Sequence, residues 1–566
     1  MVEALPVDLF HWLVASVPIL ILLVLLVRYS WSAHTAAVMG MFGASAIALT
    51  VFQAPLFAYA VAVGKGIWDA VFVLYVVWPA VLMYLVTERA GALYTLRVKI
   101  QQFSSNDLFL VLAFGWLFAS FLQGVVGFGA PIAIVAPLLL ALGVRPIYAV
   151  AIPLIGHAWN NNFGTLAVGW FAADSVAPFE APVETALQTA IIHVVPIVAG
   201  GVAIAWLYGR WNGVRHGLPM IVVVGAVQWI GLMAVAIYSP FLSGFLAASA
   251  ALVVLYPLSR WHRYDQQHEP FERPAMEESM SRDAATDGGE PLEDEEDVDE
   301  EEPDPIMGLT EAFLPYGVLL VVALVVAFPP VEELLAQFEV GFPFPAIETG
   351  YLEQEAEDPY EPFAILTHPG SIILVGVLFG YAQFRSRGYY DEWQNVTERF
   401  PHVEEEGTIY DGLKENAIPA SLSIILLIIM AIVMVETGQI AVLALGIAAV
   451  LPPTAYLFAS NGIGVLGAFI TGSNTASNIM FSPLQDGTAD ELELPQWSVL
   501  ASQMTGGAVG NAISPSNVVL STGTVGIVGE EGGVLWITPP WVALGFVFVG
   551  LPMVGVSGYI FIGGGT

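Results

Sequence analysis

The chain has 566 residues, 56% of them hydrophobic and only 12% charged, and it contains no cysteine. Disulfides, thiolate metal sites and cysteine nucleophiles are therefore excluded. A net charge of −35, from 51 acidic against 16 basic residues, repels nucleic acid, so no nucleic-acid partner is expected. The same acidity keeps exposed loops hydrated at high salt and points to a halophile.

Apolar runs of about 20 residues recur along the whole length, which sets the class as an all-α polytopic membrane protein surrounded by membrane lipid. Residues 10–27 are long enough to span and read as a first membrane helix, not a signal peptide. Residues 35–52 form the second span. The stretch 58–85 is longer and carries Lys65 and Asp69, four apart on one helical face and able to pair. Arg89, Arg97 and Lys99 then mark a basic loop. Residues 107–122 are apolar, 123–131 are Gly-rich, and 132–142 are apolar but short. Residues 147–172 are apolar except for a central break, His157-Ala-Trp-Asn-Asn-Asn162. Spans at 186–208, 217–237 and 241–258 complete a first half, residues 1–258. His193, inside an apolar helix, reads as structural.

Residues 259–306 are polar, with an acidic run from Glu293 to Glu302, and read as a disordered cytoplasmic linker. The second half, 307–566, begins with a span at 315–328. An acidic loop (329–367), an apolar stretch (372–382), a polar loop with Arg385, Arg387, Arg399 and Lys414, and a span (418–435) follow. Residues 439–451 are apolar but short. Residues 454–470 lead into Thr471-Gly-Ser-Asn-Thr-Ala-Ser-Asn478, and 479–484 lead out. Residues 498–528 are apolar and broken at Gly510-Asn-Ala-Ile-Ser-Pro-Ser-Asn517, and 541–562 form the last span.

The two halves repeat one scheme. Leu117-Phe-Ala-Ser120 matches Leu457-Phe-Ala-Ser460, and a Gly-rich break follows each. Each half then has a short-armed helical hairpin (107–142 and 454–485) and a helix broken by Asn-rich residues. Paired interruptions at matching positions mark the binding site of a secondary transporter. Charge bias places the basic loops in the cytoplasm and the acidic loops at Asp174 and Asp486 outside. The 107–142 segment then enters and returns on one side, and 454–485 opens to the other. The expectation is an inverted repeat with two re-entrant hairpins.

Val126-Gly-Phe-Gly-Ala-Pro131, Gly472-Ser-Asn-Thr-Ala-Ser-Asn478 and Ile513-Ser-Pro-Ser516 together resemble the L-lactate permease family. The resemblance covers most of the chain outside the linker. It implies uptake of L-lactate, and often glycolate, by proton symport across the plasma membrane, with no prosthetic group. The chain departs from the family's usual pattern at Asn474, where an acid is more common, and at Asn511, where a lysine often stands. It also carries His157 in place of a neutral residue.

The candidate site residues divide among four places. The second tip offers Ser473, Asn474, Thr475, Ser477 and Asn478, whose hydroxyls and carboxamides donate and accept without charge. At the first tip, Gly124, Gly127 and Gly129 allow a turn and close approach to substrate, or else pack helices. Asn160, Asn161 and Asn162 coordinate substrate or satisfy the broken backbone. Asn511, Ser514, Ser516 and Asn517 are their counterparts, with Pro515 enforcing the break. His157 is the one titratable group inside these segments; it carries the coupled proton, pairs with the anion, or is a satisfied structural histidine. The expected partners are a small carboxylate and a coupling cation, with a homo-oligomer as one assembly. The alternative is sodium-coupled transport of a different carboxylate, since neutral Asn and Ser also suit Na⁺. A membrane enzyme would need a carboxylate pair or metal cluster, and the broken segments are nearly charge-free.

Overall fold

The computed structural model describes residues 5–264 except 30, 126 and 128, then 272–276, 303–400 except 327, and 408–550 except 528 and 529. Nine stretches among them are long and apolar enough to cross a membrane. Large apolar side chains such as Leu56, Val222 and Val253 stand exposed on their outer faces. Contiguous exposed apolar surface on this scale suits acyl chains rather than water. The protein is an all-α polytopic membrane protein.

The long helix Leu56–Glu88 packs against Pro369–Arg387 and Ile409–Glu436, and the last of these also against Ala33–Thr50. These helices form a scaffold. The span expected at 186–208 starts in Pro182–Ile192 and continues into Val194–Ala236, which breaks at Gly209 and Arg210 before the span expected at 217–237. The chain folds back there: Gly213 and Gly217 pack on Ala205, and Gly225 on Ile197. The last expected span is described only to residue 550; the remainder of 541–562 lies outside the described residues.

Both hairpins form. The first climbs through Asp107–Leu112, a π-helical turn Ala113–Phe118 and Ala119–Val125, and returns through Ala130–Ala141. Asn106 caps its start by accepting from the Phe109 amide at 2.9 Å. The second runs through Pro453–Thr471 and Asn474–Glu491, longer at its far end than the 454–485 expected. Both broken helices form as well. One is Pro146–His157, a 3₁₀ turn Ala158–Asn161, then Gly164–Asp174; the other is Gln496–Gly510, a 3₁₀ turn Asn511–Ile513, then Pro515–Thr524. Hairpin arm and broken helix touch backbone to backbone at Gly156, where a Cβ would overlap the Gly115 carbonyl. Ser120 Oγ also donates to the Gly156 carbonyl at 3.2 Å.

Three expectations need correction. The 329–367 loop is not purely irregular: β1 (Glu339–Phe344) pairs antiparallel with β4 (Glu357–Ala364), and β2 (Ile347–Glu348) with β3 (Glu353–Gln354). Lys65 does not pair with Asp69. It reaches Glu357 on β4 at 2.8 Å and Glu436 at 2.9 Å, while Asp69 accepts from Tyr360 Oη at 2.9 Å. The folded loop presents closer partners than the i,i+4 neighbour does. Part of the 259–306 linker is docked: the Arg145 amide donates to the Ala275 carbonyl, and Arg273 pairs with Asp107 at the base of the first hairpin. The acidic run 293–302 lies outside the described residues.

Candidate substrate site

The two tips and the two breaks enclose one cavity of about 90 Å³, several times what one water needs. Four helices end at it: Ala119–Val125, Pro146–His157, Pro453–Thr471 and Gln496–Gly510. Four begin at it: Ala130–Ala141, Gly164–Asp174, Asn474–Glu491 and Pro515–Thr524. Helix starts carry unpaired N–H groups that favour a carboxylate, and helix ends carry carbonyls that favour a cation. The cavity therefore meets both kinds of backbone pole without any charged side chain in its lining.

Nine of the anticipated residues line it: Gly127 and Gly129 from the first tip, His157 and Asn161 from the first break, Ser473, Asn474 and Thr475 from the second tip, and Asn511 and Asn517 from the second break. Gly472 turns the second tip at φ +73°, with no room for a Cβ beside Ser516 Oγ. Ser473 then caps the returning arm, accepting from the Ala476 amide at 3.3 Å. His157 places Nδ1 at 2.5 Å from the Pro153 carbonyl. That contact needs the proton on Nδ1, so Nε2 is the nitrogen left to take another. Asn161 donates to the Ala508 carbonyl at 3.0 Å, joining the two breaks.

Six anticipated residues stand behind the lining. Asn160 donates to the Ser120 and Gly244 carbonyls and ties the first break to its neighbours. Ser477 donates to the Gly464 carbonyl and accepts from Gln503, holding the second hairpin closed. Ser514 and Ser516 bond each other at 2.8 Å beneath Gly472. Asn162 and Asn478 form a buried amide cluster with Asn474. Asn478 Nδ2 donates to the Gly169 carbonyl at 2.9 Å, which fixes that amide, and to Asn162 Oδ1 at 3.2 Å. Asn474 Nδ2 reaches the same oxygen at 3.4 Å. The carbonyl oxygens of Asn474 and Asn478 are then left buried without a partner among the described residues, both beside Gly507. Gly124 packs on the Phe245 backbone, a helix contact rather than a ligand contact. His193 lies apart, with Nδ1 on the Thr189 carbonyl at 2.6 Å.

Gln123, Ile132, Thr165, Val168 and Gly472 also line the cavity and were not singled out. Gln123 had a visible signal, a polar side chain closing an apolar arm beside the Gly-rich turn. Thr165 had none. It faces the cavity because Thr165, Leu166 and Ala167 take left-handed φ values of 50°, 52° and 61°. That conformation costs about 1–2 kcal/mol per residue and is tolerated where surrounding packing over-determines it.

The family model for L-lactate permease matches residues 11–552. The chain is 25% identical over 555 residues to an L-lactate permease of Salmonella typhi, covering 93% of this chain and 92% of that one. An L-lactate permease of Halalkalibacterium halodurans is 25% identical, covering 93% of each. A glycolate permease of Escherichia coli is also 25% identical, covering 92% of this chain and 90% of its own. With the family pattern running from the first helix to the last, the chain is a multi-pass plasma-membrane protein and belongs to the L-lactate permease family.

Proposed function

We propose that the protein imports L-lactate or a related small 2-hydroxy monocarboxylate such as glycolate by proton symport. The convergence of helix starts and helix ends on one uncharged cavity carries this reading. The amides of the arms beginning at Ala130, Asn474 and Pro515 receive the carboxylate. Thr475, Asn511 and Asn517 offer partners for the 2-hydroxyl. His157 Nε2 holds the coupled proton, and imidazolium beside the bound anion ties the two cargoes together. Alternating access moves the hairpins and broken helices against the scaffold, in the inverted-repeat manner expected from the sequence. The relatives described as lactate and glycolate permeases support the substrate class.

One observation favours a second reading, sodium coupling. The unpartnered Asn474 and Asn478 carbonyl oxygens are the groups a dehydrated cation takes up. Proteoliposome uptake of labelled L-lactate and glycolate, under a pH gradient alone or a sodium gradient alone, separates the two. Accumulation driven by the pH gradient, lost in His157→Ala, is the expected result. Accumulation under sodium alone, abolished by Asn474→Ala, would install the second reading. No accumulation of either acid under either gradient would remove both.

A further inference from the structure

Sharing no lining residue with the substrate cavity, a groove of about 790 Å³ opens between helices Pro240–Ser259, Leu309–Val326 and the short helix Ala92–Gln101. Its walls are almost wholly apolar and include Phe103, Leu252, Phe313 and Leu320. Two of these helices are candidate spans, so the groove faces the bilayer. One end differs from the rest. Lys99 lines the groove there, and Arg260 stacks over the Tyr256 ring at 5.2 Å, with Tyr256 also in the lining. Among the described residues neither cation has a carboxylate partner; Lys99 makes only a 3.4 Å contact with Gln102 Oε1. In a chain with 51 acidic residues and 16 basic ones, two such cations at one groove mouth call for an outside anion. Lys99 ends helix Ala92–Gln101 and Arg260 caps Pro240–Ser259, both in segments that the charge bias of the sequence assigns to the cytoplasmic face.

We propose that this groove binds an anionic phospholipid of the cytoplasmic leaflet, with an acyl chain along the apolar wall and the phosphate between Lys99 and Arg260. The apolar length suits a hydrocarbon chain, whose burial is favourable for every methylene covered. The cations add selectivity of about fivefold each. The chain's own segment 277–302 is polar and strongly acidic in sequence, and an apolar groove does not suit it.

A photo-reactive phenylalanine analogue at Gly317 tests the occupant, since Gly317 lines the groove and nothing lies within 4 Å of where its side chain would start. Irradiation of the full chain in membranes containing phosphatidylglycerol should yield an adduct carrying lipid phosphate. A cross-linked pair of chains, or a cross-link to 265–302, would overturn the proposal. Native mass spectrometry supplies the second measurement. Phosphatidylglycerol should be retained over phosphatidylcholine, and Lys99→Gln and Arg260→Gln should each lower that preference about fivefold. Equal retention of the two lipids by the unaltered protein would equally overturn it.

Discussion

The two halves share a backbone scheme and divide the chemistry between them. The first tip is nearly bare: Gly127 and Gly129 bring backbone to the cavity, and the side chains nearest them come from elsewhere, Thr165 for Gly127 and Leu520 for Gly129. The second tip is dressed, with Ser473, Asn474 and Thr475 in the lining. The breaks differ likewise. The first spends Asn160 and Asn161 on carbonyls of neighbouring helices. The second bonds within itself, Asn517 Nδ2 lying 2.5 Å from Asn511 Oδ1, and to the tip of its own half, the same nitrogen donating to the Gly472 carbonyl at 3.2 Å. A repeated fold thus fixes where chain breaks meet, while the side chains differ between the copies; under the proposed function the second supplies partners for the substrate and the first supplies His157 for the proton.

The sharpest way to break this contrast is to add one methyl group to each tip. Gly472→Ala should abolish uptake, because φ is +73° and the new Cβ would meet the Ser516 hydroxyl, itself held by Ser514. Gly129→Ala bears the same left-handed strain, about 1–2 kcal/mol, but meets only the Leu520 side chain, which can turn away. Its uptake should fall about tenfold. Equal losses in initial-rate assays would show that the tips are not chemically distinct.

The amides should separate next. Asn474→Ala should raise the lactate KM with little change in melting temperature. Asn160→Ala leaves the buried Ser120 carbonyl short of a donor, at a cost of about 1–3 kcal/mol, and should lower melting temperature while KM stays put. Asn162→Ala removes the acceptor shared by Asn474 and Asn478 and should do both. If Asn160→Ala moved KM and Asn474→Ala moved stability, the roles assigned to the halves would be reversed.

The ion pairs that join the halves offer a graded control. Lys65→Met leaves Glu436 buried without its cation, which destabilises by about 3–5 kcal/mol. Glu357 is half-exposed, and Glu357→Gln should cost about 1 kcal/mol or less. Thermal unfolding in detergent should rank them in that order, with neither altering the pH response of transport.

Much of this was legible in the residues. Apolar length gave the spans, and the small polar interruptions at 124–131, 157–162, 471–478 and 510–517 gave the hairpins and breaks, because such backbone is tolerated at membrane depth only where protein or a cavity surrounds it. Individual roles were less legible. Asn160 and Asn161 are neighbours of one type, yet one braces a helix pair and the other borders the cavity. A rotation of about 120° per residue in their 3₁₀ turn separates them, and only the packing decides which direction is inward. Lys65 shows the same limit: local spacing offered Asp69, and the fold supplied Glu357 and Glu436 from almost 300 residues or more away.

The sequence by itself determined the class and the four places where the chain must break, since each follows from hydrophobic length and from backbone groups that lipid cannot satisfy. Tertiary structure alone decided that eight helix termini share one small cavity, that Thr165 and Gln123 join its wall, and that six of the anticipated residues stand behind it. The reason is physical. Burial and periodicity are written along the chain, but which face meets which is settled by close-packed contacts between segments hundreds of residues apart.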